Sequence, residues 1–136
     1  METYIESPYR SFEEENLGDL VGKEFFFVAL GAADNTIKLA ADGESVIGVL
    51  HERTSMESKD VSVRLLGKGG TVKVKAGGII AKGGRVIWGA GAKALPVPAV
   101  DGTYRTFGRK LSQGNSANND VIEIIDVIEP ITLVGE

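Results

Sequence analysis

From Gly48 to Gly91 the chain runs in short stretches of strict alternation, Val61, Val63 and Leu65 and then Val72 and Val74. Three glycine pairs cut these stretches, Gly69-Gly70, Gly77-Gly78 and Gly83-Gly84. Apolar residues at every second position lay one face of a strand on a core, and paired glycines mark the turns between such strands. A chain punctuated in this way folds as short hairpins. The reading for the whole is all-β: a small single-domain β barrel or sandwich of short hairpins with an extended N-terminal arm. The division that goes with it is an arm over residues 1–21, a barrel domain over 22–128 and a C-terminal tail over 129–136.

The segments on either side fit the same scheme. Phe25-Phe26-Phe27-Val28-Ala29-Leu30 reads as a strand ended by Gly31 and the turn residues Asp34-Asn35, with Thr36 to Ala40 returning as its partner. Asp42-Gly43 turns the chain into Val46 to Leu50, where Gly48 marks a bulge or a close backbone approach. Residues 51–60 are polar and read as an exposed loop. In Thr71 to Lys75 the lysines face outward; Ala76 to Gly84 forms a double turn and Arg85 to Trp88 the next strand. The Ala and Pro content of Gly89 to Pro98 excludes a central strand over its second half. Asp101-Gly102 offers a hairpin to Tyr104–Gly108.

The closing segment, Val121 to Ile128, breaks clean alternation, since each of its faces is mostly apolar with one acid, Glu123 on one side and Asp126 on the other. A strand covered on both faces in a chain of this size points to a subunit contact, so Ile122, Ile124, Ile125 and Val127 are the expected oligomer interface. A bulge that reverses the faces midway is the alternative. The first 20 residues fit neither period. Tyr4, Ile5, Tyr9, Phe12 and Leu17 are scattered among acids, with Pro8 and Gly18 as breakers. Such an arm gains its order by packing on something else.

Composition limits the chemistry. The chain has 136 residues, enough for one core; it has no cysteine and a single histidine, so neither a disulfide framework nor a thiolate or multi-histidine metal site is available. No apolar run reaches bilayer length and the N-terminus lacks the pattern of a signal peptide, so no membrane association is expected. Charge is divided along the chain: residues 53–110 hold three acids and twelve bases, while residues 1–24 hold seven acids and two bases and residues 111–136 five acids and no base. The acidic ends can therefore lie against a basic middle, in the same subunit or in a neighbour.

Readings that would carry chemistry fail on their own requirements. Gly67-Lys68-Gly69-Gly70-Thr71 lacks the residue order of a phosphate loop. His51 beside Glu52 has no identifiable nucleophile, and Asp34, Asp42 and Glu44 do not follow a calcium-loop spacing. The chain is expected to be no enzyme and to use no cofactor. Lys68, Lys73, Lys75, Lys82, Arg85 and Lys93 on successive hairpins, with Trp88 or Tyr104 as a stacking platform, outline a module for nucleic acid or another polyanion. The net negative charge and the sparse aromatics argue against nucleic acid as a partner.

The run Leu39-Ala40, Ile47-Gly48-Val49, Val61-Ser62-Val63, Gly69-Gly70, Ala76 to Val86 and Thr106-Phe107-Gly108-Arg109, followed by a closing Val-Ile-Glu-Ile strand, resembles the capsid decoration, or cement, proteins of tailed bacteriophages. The resemblance covers about residues 22–127. It implies a β barrel, usually a homotrimer, that is made in the host cytoplasm and sits on the outer surface of the virion. There it would bind the major capsid protein and stabilise the head without chemistry. On this reading Tyr4, Ile5, Tyr9 and Phe12 are contacts to capsid or to a neighbouring subunit. The segment Ala76 to Val86 also looks like the turn of biotinyl and lipoyl carrier domains, but no methionine-lysine tip is present. The fibre-like repeats or helical stalk expected of a tail component are missing as well.

Overall fold

The computed structural model describes residues 7–41, 44–53 and 60–133. At its centre is the apolar run that begins at Phe25. Strand β2 (Phe27–Leu30) follows β1 (Tyr9–Glu14) and pairs antiparallel with both β3 (Thr36–Leu39) and β4 (Val46–Arg53). Both faces of β2 are covered: Val28 packs with Phe12, Ile37, Leu50, Val61 and Val63, while Phe27 and Ala29 pack with Val49, Val74, Phe107 and Ile124. A strand covered on both faces reads as an unbroken apolar stretch, and this is the physical reason for the run. Two cores therefore share one strand.

Strand β5 (Asp60–Leu65) pairs with β4, and β1 pairs antiparallel with β5 and parallel with β3, closing a five-stranded barrel in the order β1-β3-β2-β4-β5. Around it lie three two-stranded sheets. Strand β6 (Thr71–Lys75) pairs with β10 (Val121–Ile125), β7 (Val86–Trp88) with β8 (Ala94–Pro96), and β9 (Gly102–Thr106) with β11 (Glu129–Leu133). The all-β, single-domain barrel expected from the sequence is the fold observed.

Four boundaries differ from the sequence reading. The segment taken as a free arm over residues 1–21 contributes β1, because Phe12 and Glu14 turn inward at alternate positions and are buried. The tail over 129–136 contributes β11, which pairs with β9 in place of a local hairpin at Asp101-Gly102. The stretch 51–60 begins as strand, since β4 runs on to Arg53. The loop over 89–98 holds β8 in its second half; Pro96 sits at the end of a two-stranded sheet, where no second neighbour needs its missing N–H.

Gly48 and Gly108 are fixed by close approach. A Cβ on Gly48 would lie 2.5 Å from the Arg64 carbonyl oxygen across the β4–β5 pair. At Gly108, where φ is +135°, a Cβ would collide with the carbonyl oxygen of Ile125. Gly108→Ala is expected to cost about 1–3 kcal/mol through overpacking and more through the left-handed backbone. A lowered denaturant midpoint at unchanged slope would show it.

Candidate interaction surface

Exposed large apolar side chains are spread over several elements, among them Leu17, Leu30, Ile79 and Val100, and two of them, Val121 and Ile125, stand on the outward side of β10. Along it, Ile122 and Ile124 point into the core, at 4% and 0% exposure, while Val121 and Ile125 stand outward. Val127, 43% exposed, lies just past the strand, where its N–H turns back to the Ile125 carbonyl oxygen. The alternation is regular, so the bulge alternative does not apply within Val121–Ile125. Of the four residues expected at an oligomer interface, Ile122 and Ile124 are thus committed to the chain's own core, and Ile125 and Val127 remain available.

The acid that broke the alternation has an internal role. Asp126 is buried, and its carboxylate accepts the N–H groups of Gly67 at 2.7 Å, Lys68 at 2.9 Å and Gly69 at 3.1 Å. It also pairs with the Arg64 guanidinium at 3.1 Å. Arg64 in turn donates to the carbonyl oxygens of Leu65, Gly69 and Thr71. The pair ties the turn after β5 to the end of β10.

Next to this side of β10 lies a groove of about 320 Å³ between the barrel and β6. Tyr9, His51 and Phe25 line the barrel side, and Thr71, Lys73 and Glu123 the other. Glu123 lies opposite Lys73 in the β6–β10 ladder and accepts a hydrogen bond from Thr71 Oγ1 at 3.0 Å. Ile125 follows Glu123 on the same outward side, directly across from Thr71. On the barrel side the Tyr9 and His51 rings lie 4.7 Å apart at a 55° tilt. His51 falls where the β4–β5 register shifts between Leu50 and Glu52, and the extra residue of a bulge stands outside the ladder.

The candidate contacts from the N-terminal segment divide in the same way. Tyr4 and Ile5 lie outside the described residues. Tyr9 is 43% exposed at the groove, whereas Phe12 is buried at 4% in the barrel core and stacks under Arg10, 4.5 Å from the ring. Phe12 is therefore a core residue and no partner can reach it. Tyr9 and Ile125, far apart in sequence, both lie near Thr71, the first across the groove and the second across the β6–β10 ladder.

Several other buried polar groups organise loops and gave no sequence signal. Lys110 Nζ donates to the carbonyl oxygens of Ser112 and Gly114, each at 2.7 Å. Glu14 accepts the N–H groups of Gly18 and Leu20. Ser116 Oγ bridges Gly78 and Ile80. Among the described residues no group of three or more His, Cys, Asp or Glu side chains is placed to hold a metal ion, and no helix is long and apolar enough to cross a membrane. No protein-family model matches the chain, and no curated protein sequence matches it either.

Proposed function

We propose that the chain is a non-enzymatic structural protein of the bacteriophage decoration type, binding the major capsid protein on the outer surface of the head and acting as a small homo-oligomer, with a trimer as the leading state. The observation that carries this reading is the pair of exposed apolar side chains Val121 and Ile125 on the outward side of β10, on either side of Glu123 and next to the Tyr9 groove, with Val127 exposed just past the strand. Apolar and aromatic anchors within a polar surround are the usual composition of an interface centre. Further support comes from the positions that carry the sequence resemblance. Gly48 and Gly108 are both demanded by backbone approach, Gly48 at the β4–β5 pair of the barrel and Gly108 at the end of β10 beside it. Multivalent attachment by a symmetric oligomer then slows loss of any single contact.

The polyanion reading has less to stand on. Two of the twelve bases in residues 53–110, Arg64 and Lys110, are buried and engaged, and Lys93 Nζ is held by Asn118 and Asn119. Other bases of the middle lie on separate elements, Lys73 and Lys75 on β6 and Arg105 on β9.

Paired substitutions on β10 test the assignment. Ile124→Asp places an unpaired carboxylate in the core and is expected to unfold the chain. Ile125→Asp should leave a cooperatively folded barrel that sediments at a lower mass than the parent oligomer, or fails to bind heads. A folded Ile125→Asp variant with the parent's mass and the parent's affinity for heads would remove this face from the proposal.

A further inference from the structure

On the side of β10 away from β6, the face that carries Ile125 continues across two more stretches of chain. The Ile125 N–H donates to the Arg109 carbonyl oxygen at 3.1 Å and the Leu111 N–H to that of Glu123 at 2.9 Å. In the bridge between these bonds Lys110 stands opposite Ile124, and both are buried. Arg109 and Ile125, one position along, therefore face outward together. Arg109 is bridged in turn to Arg85, and residues directly opposite each other in an antiparallel pair share a face. Thr71, Ile125, Arg109 and Arg85 thus form one line across the outward face. Like charges placed directly opposite are destabilising, and among the described residues neither arginine forms an ion pair. Arg85 Nε has no acceptor either. Glu123, on the same face, stands opposite Lys73 and takes the Thr71 hydroxyl. The line past Ile125 is left basic.

We infer that this apolar and basic face binds a second copy of the chain, head to tail, through the acidic end of that copy's barrel. The complementary surface lies at the far end of β1. There the Glu13 N–H donates to the Asn35 carbonyl oxygen at 2.9 Å and the Glu15 carboxylate accepts the Ala32 N–H, which brings the end of β1 beside the turn between β2 and β3. Glu13, Asp19 and Asp34 are exposed at this end, together with Leu17 and Leu30, 55% and 58% exposed. Residues 11–22 and 24–37 hold no base. Carboxylates among leucines there match arginines beside an isoleucine here, and such complementarity fixes both orientation and register. One chain does not close this contact on itself. The start of β1, at Tyr9, pairs with Arg64, which reaches the Thr71 carbonyl oxygen at the Ile125 end of the ladder, while Glu13 lies at the other end of the strand. A contact between two different patches is heterologous, and repeated around an axis it closes a ring. The inference rests on the homo-oligomeric part of the proposed function and not on capsid binding.

A mixing experiment separates this contact from a symmetric one. Arg109→Glu reverses a charge on the basic face, and Leu17→Ser with Asp34→Ser strips an anchor and a charge from the acidic end; all three positions are exposed. The full-length parent, each variant and an equimolar mixture of the two are passed through size-exclusion chromatography with light scattering at low ionic strength, without heads. The expected result is an oligomer for the parent and the mass of one chain for each variant, with circular dichroism and melting temperature unchanged. The mixture should give the mass of two chains, because each variant keeps the patch that the other has lost. Folded variants that retain the parent's mass would overturn the inference. So would a mixture that stays at one chain, the behaviour of a contact made by the same patch on both copies. A monomeric parent would overturn it together with the homo-oligomeric reading, whereas an intact Arg109→Glu oligomer that no longer binds heads would give this face to the capsid instead of a second copy.

Discussion

Asp126→Ala is expected to lower the unfolding free energy by about 3–5 kcal/mol, the range for removing one partner of a buried ion pair. The Asp126 side chain is fully buried and that of Arg64 6% exposed, so no solvent replaces the lost carboxylate. The guanidinium would keep its carbonyl acceptors but lose its counter-charge, and the turn at Gly67 to Gly69 would lose the acceptor for three N–H groups. Asp126→Asn, which keeps an acceptor oxygen, should cost less. Replacing both members, Arg64→Met with Asp126→Leu, should recover much of the loss, because two apolar side chains leave no orphaned charge. Denaturant midpoints at constant slope measure all three. An Asp126→Ala variant within about 1 kcal/mol of the parent would show that the pair is not what holds the turn to β10.

Deletion of residues 1–12 should abolish cooperative folding. Four of the five rungs between β1 and β5, from Tyr9↔Arg64 to Phe12↔Val61, would go with it. The barrel would lose the strand that closes it, and β5 would be left as an open edge. Phe12→Ala alone is expected to cost about 3–5 kcal/mol, as for other large aromatic truncations in cores. An N-terminal arm that only clasps a partner would behave differently, since its removal would leave the unfolding transition untouched. Deletion of residues 1–6, by contrast, spares every rung of β1 and should change head binding through Tyr4 and Ile5 with no change in the barrel's melting temperature. Thermal unfolding of the two truncations side by side separates these cases.

The parts of the fold that were legible in the sequence are those where side chains on one strand obey one solvent rule. Val61, Val63, Val72 and Val74 alternate because one face of each strand packs on an apolar core, and all four are buried. Strand β1 was illegible for the opposite reason. Its inward positions are Phe12 and Glu14, and a buried glutamate satisfied by the N–H groups of Gly18 and Leu20 looks, in sequence, like an outward charge. Asp126 misled in the same way: an acid facing inward made both sides of the closing segment look equivalent. Strand β11 was hidden by Pro130 and by a partner, β9, that lies more than twenty residues earlier.

The candidate surface was half legible. Parity alone separates Ile122 and Ile124 from Ile125 and Val127, but only tertiary packing says which set is covered. That Tyr9 and Ile125 both lie near Thr71 depends on the β1–β5 pairing and on the placement of β6 beside the barrel, neither of which has a local signal.

The most direct test of the capsid-surface proposal is co-sedimentation of the purified chain with mature phage heads stripped of decoration, quantified against free chain over a concentration series. The proposal predicts saturable binding at a fixed number of copies per head, with stoichiometry in whole oligomers, and its loss for the folded Ile125→Asp variant. Absence of the chain from the head pellet at every concentration, with the barrel folded and oligomeric in the supernatant, would contradict it.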